Sequence, residues 1–219
     1  MTGAEPTHAV GTAARRLVLV RHGETAGQSS VRYYGATDVP LSRLGEEQMR
    51  RAGAALAGER FDAVFCSRLR RSRHGAALVA GEHRRPTPLA AFDEVHFGSW
   101  EGCTRDEIAA RDPREFPRWQ ETPEAFVYPG GECRQAFRRR VANGLADVLA
   151  RTHGERLLLV VHRGVIAVAL AELLQLDAEA RRRLEIDLAS IHVLARADDR
   201  WIPERLNAVD HLAAVEARR

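Results

Sequence analysis

The chain has 219 residues, 45% of them hydrophobic and 29% charged, with a mean hydropathy of -0.32. That length suits one α/β domain with at most a small cap, and that composition excludes a chain disordered throughout. The 33 basic residues, all of them arginine, face 30 acidic ones for a net charge of +3, too even a balance to mark a nucleic-acid binder by itself.

Residues 1–14 read as a flexible tail without the apolar stretch of a secretory leader. Residues 15–219 read as a single domain. Leu17-Val18-Leu19-Val20 is an unbroken apolar run, as expected of a strand buried on both faces. It ends in the polar turn Arg21-His22-Gly23-Glu24-Thr25. After a loop to Leu41, Ser42 can cap a helix to about residue 58, with Leu44, Met49, Ala52, Ala55 and Leu56 on or near one face. Residues 61–65 form the next expected strand, and Ser67 is the expected cap of a helix to about residue 80. A short strand is expected at Ala90-Ala91-Phe92.

The stretch 95–131 reads as an insertion or lid. A short helix is expected at 104–111, and Pro113, Pro117, Pro123 and Pro129 interrupt the chain beyond it. Trp100, Phe116, Trp119, Phe126 and Tyr128 crowd into this stretch. They can receive a flat leaving group, and they can equally pack the insertion onto the domain. A long helix at 132–152 leads to a central strand at 157–161, then His162-Arg163-Gly164 and a helix to about 176. Segments 190–195 and 201–207 flank Asp198-Asp199 as a β-hairpin.

Strand, polar turn and helix recur, which predicts a three-layer α/β fold: a mostly parallel central sheet flanked by helices on both faces. No apolar run approaches the ~20 residues needed to span a bilayer. Cys66, Cys103 and Cys133 form no CxxC pair and no zinc ligand set, in keeping with a reducing, cytoplasmic setting. The triplets Arg138-Arg139-Arg140 and Arg181-Arg182-Arg183 raise nucleic-acid binding, but acidic residues lie near both and no recognised motif accompanies them. Solvated helix faces are the plainer reading.

In such a sheet, ligands bind beyond the carboxyl ends of the strands. The turns there should bring together Arg21, His22, Arg71 and His162. Two guanidinium forks and two imidazoles suit a tetrahedral dianion. A histidine among fixed cations can attack phosphorus, and the arginines can stabilise the transferring group. Glu94, in a further turn, can protonate the leaving alkoxide and then activate water. Taken singly, each residue is more often a surface cation or a structural histidine. What sets the two histidines apart is their place after two separate buried strands.

Local sequence takes the assignment further. Leu19-Val20-Arg21-His22-Gly23-Glu24-Thr25 resembles the signature of the histidine phosphatase superfamily, in the branch of the phosphoglycerate mutases. The likeness continues through Tyr34-Gly35-Ala36-Thr37-Asp38 and Cys66-Ser67-Arg68-Leu69-Arg70-Arg71. Asp93-Glu94-Val95-His96-Phe97-Gly98-Ser99-Trp100-Glu101-Gly102, Tyr128-Pro129-Gly130-Gly131-Glu132 and Val160-Val161-His162-Arg163-Gly164 complete it. The resemblance implies His22 as phosphoacceptor, Glu94 as acid and base, and Arg21, Arg71 and His162 as phosphate ligands, with no metal and no cofactor. It implies a phosphatase for a small phosphorylated metabolite, similar to α-ribazole phosphatases and broad-specificity phosphatases, with no nucleic acid or membrane as partner and a homodimer left open.

A phosphoglycerate mutase and a non-catalytic phospholigand binder are the alternatives. Mutases of the family carry a longer middle segment, which favours hydrolysis here. Three positions depart from the family pattern. Gln28 stands where many relatives have Asn at the phosphate rim. Arg163 replaces a small residue beside the second histidine, and Ala167 stands where many have Arg. Gln28 and Arg163 are candidate substrate-binding residues, and Arg163 can equally point into solvent.

Overall fold

The computed structural model describes residues 14–81, 84–121, 124–152 and 154–213. In chain order the elements are β1 (Arg16–Arg21), α1 (Arg43–Ala55), β2 (Ala63–Cys66), α2 (Arg70–Ala80), β3 (Thr87–Pro88), α3 (Arg105–Arg111), α4 (Glu115–Glu121), α5 (Arg134–Arg151), β4 (Arg156–Val161), α6 (Arg163–Leu173), α7 (Ala178–Arg182), β5 (Ile191–Ala197) and β6 (Arg200–Ala208). The six strands form one sheet in the order β3-β2-β4-β1-β5-β6. β3, β2, β4 and β1 run parallel, and β5 is antiparallel to both of its neighbours. The mostly parallel α/β sheet is therefore as expected.

Alternation along each strand feeds two cores. Leu17, Leu19, Leu157, Leu159 and Val161 face one side, where α5 and α6 supply Phe137, Val141, Leu145, Ile166 and Leu170. Val18, Val20, Leu158 and Val160 face the other, against Met49 and Ala52 of α1 and Ala76 and Val79 of α2. Both faces of the central strands are covered, which is why they read as unbroken apolar runs.

Several local expectations change. Most of the 1–14 tail lies outside the described residues, and Ala14 is buried in the core rather than loose. Ser67 is not the cap of α2: Leu69 takes that position without a side-chain bond. Ala90–Phe92 is a 3-10 turn, because Thr87–Pro88 already occupies the sheet edge beside β2. Pro117 lies inside α4 instead of ending it, since a first-turn residue has no intrahelical acceptor to lose. α7 is an element beyond those expected, although Asp177 accepts from the Ala180 amide at 2.8 Å as its cap.

The stretch 95–131 shares the first core through Val95, Trp100, Ile108, Phe126 and Tyr128. Its aromatic rings contact one another edge to face, Trp100 with Trp119 at 5.7 Å and Phe97 with Tyr128 at 5.0 Å, and Tyr33 from outside the stretch meets Phe97 in the same way at 5.4 Å. Arg138, Arg140, Arg181 and Arg183 of the triplets are all ion-paired, with Glu124, Glu132 and Glu179 among the partners. Among the described residues no helix is long and apolar enough to cross a membrane.

His192 is fully buried on β5, where its Nδ1 accepts from the Asn207 amide at 3.2 Å and its Nε2 meets Ser190 Oγ at 3.1 Å. Burial pushes its pKa down to about 4. The unfolded chain therefore binds this proton at a higher pH than the folded one, so the contribution is intact above pH ~6.5 and is lost on acidification toward the folded value. From pH 7 to pH 4 the unfolding free energy should fall by about 3 kcal/mol more in the wild type than in His192→Gln, a difference that urea titrations at each pH would measure.

Candidate functional site

The register of two parallel strands builds the site. Arg21, the last residue of β1, pairs with Val161, the last of β4. The next residues, His22 and His162, therefore emerge side by side. Their rings lie 5.1 Å apart at 65°, and the His22 amide donates to Val161 O at 2.9 Å. β2 lies on the far side of β4, with Cys66 opposite Val160. The following residue, Ser67, thus reaches His162, with Oγ 2.7 Å from Nε2.

One hydrogen bond specifies the His22 imidazole. The His22 Nδ1–H donates to Gly23 O at 2.8 Å, which leaves the lone pair on Nε2. Ser67 Oγ accepts from the Leu69 amide at 3.2 Å and shares a 2.7 Å hydrogen bond with His162 Nε2, in which either atom can be the donor. Burial first, then Arg71 and Arg21, hold the His22 pKa well below the usual histidine range. Burial, Arg71, His22 and Arg21 do the same to His162. Both rings are neutral at neutral pH.

Two cations are built in beside them. Arg71 is fully buried at the start of α2. Its Nη1 donates to Thr37 O at 2.8 Å, and its Nη2 to Tyr34 O at 3.0 Å and Gly35 O at 2.7 Å. Arg21 Nη1 donates to Ile186 O at 2.8 Å. Burial, joined by the charge of Arg163, pulls the Arg21 pKa down to about 10, which still leaves a cation at neutral pH. Among the described residues five buried side-chain nitrogens lack a hydrogen-bond partner, and three are here: Arg21 Nε, Arg71 Nε and His162 Nδ1. The two guanidinium nitrogens are donors. The expected free guanidinium forks are corrected to this extent: the protein's own carbonyls occupy both terminal nitrogens of Arg71 and one of Arg21, and the Nε of each is left without a hydrogen-bond partner.

Glu94 completes the group from the turn after Phe92. Its Oε2 accepts from the Gly164 amide in the first turn of α6 at 2.9 Å, and its Oε1 accepts from the Val95 amide at 2.9 Å. The turn is held by Asp93, which accepts from the Arg68 amide and Nε at 2.8 Å, and by Arg140, which donates to the Asp93 carbonyl at 2.9 Å. On the other side, the chain after His22 lies against the first turn of α1, where a Cβ on Gly45 would stand 1.8 Å from Glu24 O. Only glycine allows that approach. Among the described residues no cluster of three or more His, Cys, Asp or Glu could hold a metal ion.

The arrangement suits a tetrahedral anion next to a neutral imidazole. A model of the histidine phosphatase superfamily (branch 1) matches residues 17–209. The chain belongs to that family. Several of its homologues are named phosphatases, among them the adenosylcobalamin/alpha-ribazole phosphatase of Escherichia coli, 32% identical over 78% of this chain and 85% of that protein. Among solved structures, the alpha-ribazole phosphatase from Shigella flexneri superposes with a TM-score of 0.81 at 28% identity, covering 89% of this chain and 96% of that one. Mycobacterial glucosyl-3-phosphoglycerate phosphatase, in complex with VO3, superposes with a TM-score of 0.76 at 31% identity over 89% and 100% of the two chains.

Within this histidine phosphatase, the five expected core residues Arg21, His22, Arg71, Glu94 and His162 come together. Gln28 stands apart. Its side chain is exposed on a tight turn with φ 64°, beside an open groove formed with Glu24, Thr25 and Ser42. Arg163 is exposed and makes no ion pair among the described residues. Two contributors escaped the sequence. Residues 34–37 act through carbonyls, which no side chain advertises, and Ser67 reads locally as a helix cap.

Ser67→Ala should strand His162 Nε2 in a buried site, a loss of about 1–3 kcal/mol. The expected outcome is a fall of about ten- to a hundredfold in kcat/KM for phosphate esters, with a mixture of His162 tautomers in imidazole 15N spectra of a folded protein.

Proposed function

We propose that this chain hydrolyses a small phosphomonoester without a metal ion, through a phosphohistidine on His22 with Glu94 as general acid and base. The observation that carries this reading is the 2.8 Å bond from His22 Nδ1 to Gly23 O, which leaves Nε2 unprotonated in a buried, cationic pocket. Nε2 attacks phosphorus as the bond to the ester oxygen breaks, and the leaving oxygen takes a proton from the Glu94 carboxyl. In the second half, Glu94 takes a proton from water, whose oxygen attacks phosphorus. The P–N bond breaks, and free phosphate and the Nε2 lone pair result. The Nε–H groups of Arg21 and Arg71 and the Nδ1–H of His162 hold the phosphoryl oxygens throughout. This reading takes residues 15–219 as one catalytic domain.

The relatives supply the first substrates to try: α-ribazole 5′-phosphate, and phosphoglycerate esters that carry a carboxylate. Gln28 and Arg163 are the proposed substrate-side residues. An unpaired cation beside Arg21 favours an ester with a second negative charge.

Phosphate release should persist in EDTA and disappear in His22→Ala, with Arg71→Ala and His162→Ala severely impaired. Isomerised phosphoglycerate without free phosphate would point to a mutase instead. Glu94→Gln should slow sugar phosphates by at least tenfold more than p-nitrophenyl phosphate, whose phenolate leaves without a proton; equal losses would remove Glu94 from the acid role. Arg163→Ala should cut kcat/KM about five- to twentyfold for phosphoglycerates and less than twofold for p-nitrophenyl phosphate. Uniform losses would remove Arg163 from substrate recognition.

A further inference from the structure

The loop that holds Arg71 is itself held from its other side. Residues 34–37 belong to no helix or strand, so their shape depends on the bonds that other groups make to them. Their carbonyls take the terminal nitrogens of Arg71. The amides of Gly35, Ala36 and Thr37 go to a single carboxylate, that of Glu101. Glu101 Oε2 accepts from Gly35 at 3.0 Å and Thr37 at 3.2 Å, and Oε1 accepts from Ala36 at 2.9 Å. Oε1 also accepts from the Phe97 amide at 3.0 Å, which folds the carboxylate's own segment back onto it. Glu101 makes no ion pair among the described residues.

The loop is thus clamped between an anion on its N–H side and a cation on its C=O side. Peptide groups polarised from both ends bond more strongly at each, because the two interactions reinforce one another. Gly35 lets the parts close: a Cβ there would stand 1.7 Å from Val95 O and 2.8 Å from Glu101 Oε1. Val95 follows Glu94 directly, so the same contact ties the loop to the segment that carries the carboxylate of the site.

We propose that Glu101 is a positioning residue for phosphate binding, which sets the Arg71 guanidinium through the backbone of residues 34–37. It touches neither the substrate nor the reacting atoms. The inference rests on the reading of Arg71 as a phosphate ligand. It gives Arg71 a remote counter-charge: a carboxylate that contacted the guanidinium directly would compete with phosphate for Nε, whereas one that acts through three peptide groups leaves Nε free.

The test is a double-mutant cycle read by two assays, calorimetric binding of inorganic phosphate and kcat/KM for p-nitrophenyl phosphate. Glu101→Gln replaces an acceptor oxygen with an NH2 that faces backbone donors. The phosphate Kd should rise, and kcat/KM should fall, by about ten- to a hundredfold. The double variant Glu101→Gln/Arg71→Ala should be no worse than Arg71→Ala alone, within about twofold, since Glu101 has nothing left to position. Glu101→Asp keeps the charge but is one methylene short; it should give a smaller loss with the same non-additivity, and it carries the cycle if the Gln variant does not fold. Losses that multiply across the cycle, in variants with wild-type circular dichroism, would overturn the inference while the site reading stands. A wild-type protein that neither binds phosphate nor releases it would overturn the site reading and this inference with it.

Discussion

The parallel pairing of β1 with β4 is the constraint on which the rest depends. One register, Arg21 opposite Val161, sets both the core and the site. Below it, Leu17 and Leu19 fall beside Leu157 and Leu159 on one face, with Val18 and Val20 beside Leu158 and Val160 on the other. Beyond it, the same pairing delivers His22 and His162 to neighbouring positions. A slip of one residue would turn every side chain to the opposite face. The apolar runs that forbid the slip therefore also hold the two imidazoles together, and packing energy far from the site maintains its geometry.

The site itself is an electrostatic compromise. Desolvating a guanidinium is costly unless its donors are satisfied. Arg71 meets that cost with three carbonyls from residues 34–37, and Arg21 uses the Ile186 carbonyl. Carbonyls satisfy hydrogen bonds without cancelling charge. The cations therefore remain effective on their neighbours, and both histidines are held neutral beside them. Carboxylates in direct contact would have neutralised the pocket. The acidic groups are instead placed with their oxygens committed elsewhere: Glu94 on the Gly164 and Val95 amides, Glu101 on the far side of the loop. The pocket keeps a positive field for an anion to enter.

Much of this was legible from sequence because it is local. The runs 17–20 and 157–161, the Ser42 cap with its 3.1 Å bond to the Gly45 amide, and the Thr104 capping box each depend on a few neighbouring residues. The grouping of Arg21, His22, Arg71, Glu94 and His162 was legible from residue type and motif order. Ser67 shows where such reading stops. A serine three residues before a helix looks like a cap, and only the adjacency of β2 to β4 turns it toward His162. Ala90–Phe92 shows the same limit in another form, since whether an apolar triplet becomes a strand depends on which segment has taken the sheet edge.

By itself the sequence determined the α/β class, the strands of the core and the residue types gathered at the site, because hydrophobic period, caps and functional groups are properties of short stretches of chain. Tertiary structure alone decided which nitrogen of His22 carries its proton, which donors of the arginines remain free, and that Glu101 reaches Arg71 through a loop 64 to 66 residues earlier in the chain. The physical reason is that these are backbone interactions at long sequence separation. Carbonyls and amides are the same at every position, so nothing in the identity of Tyr34, Gly35 or Thr37 announces that its peptide groups will link a buried cation to a distant carboxylate.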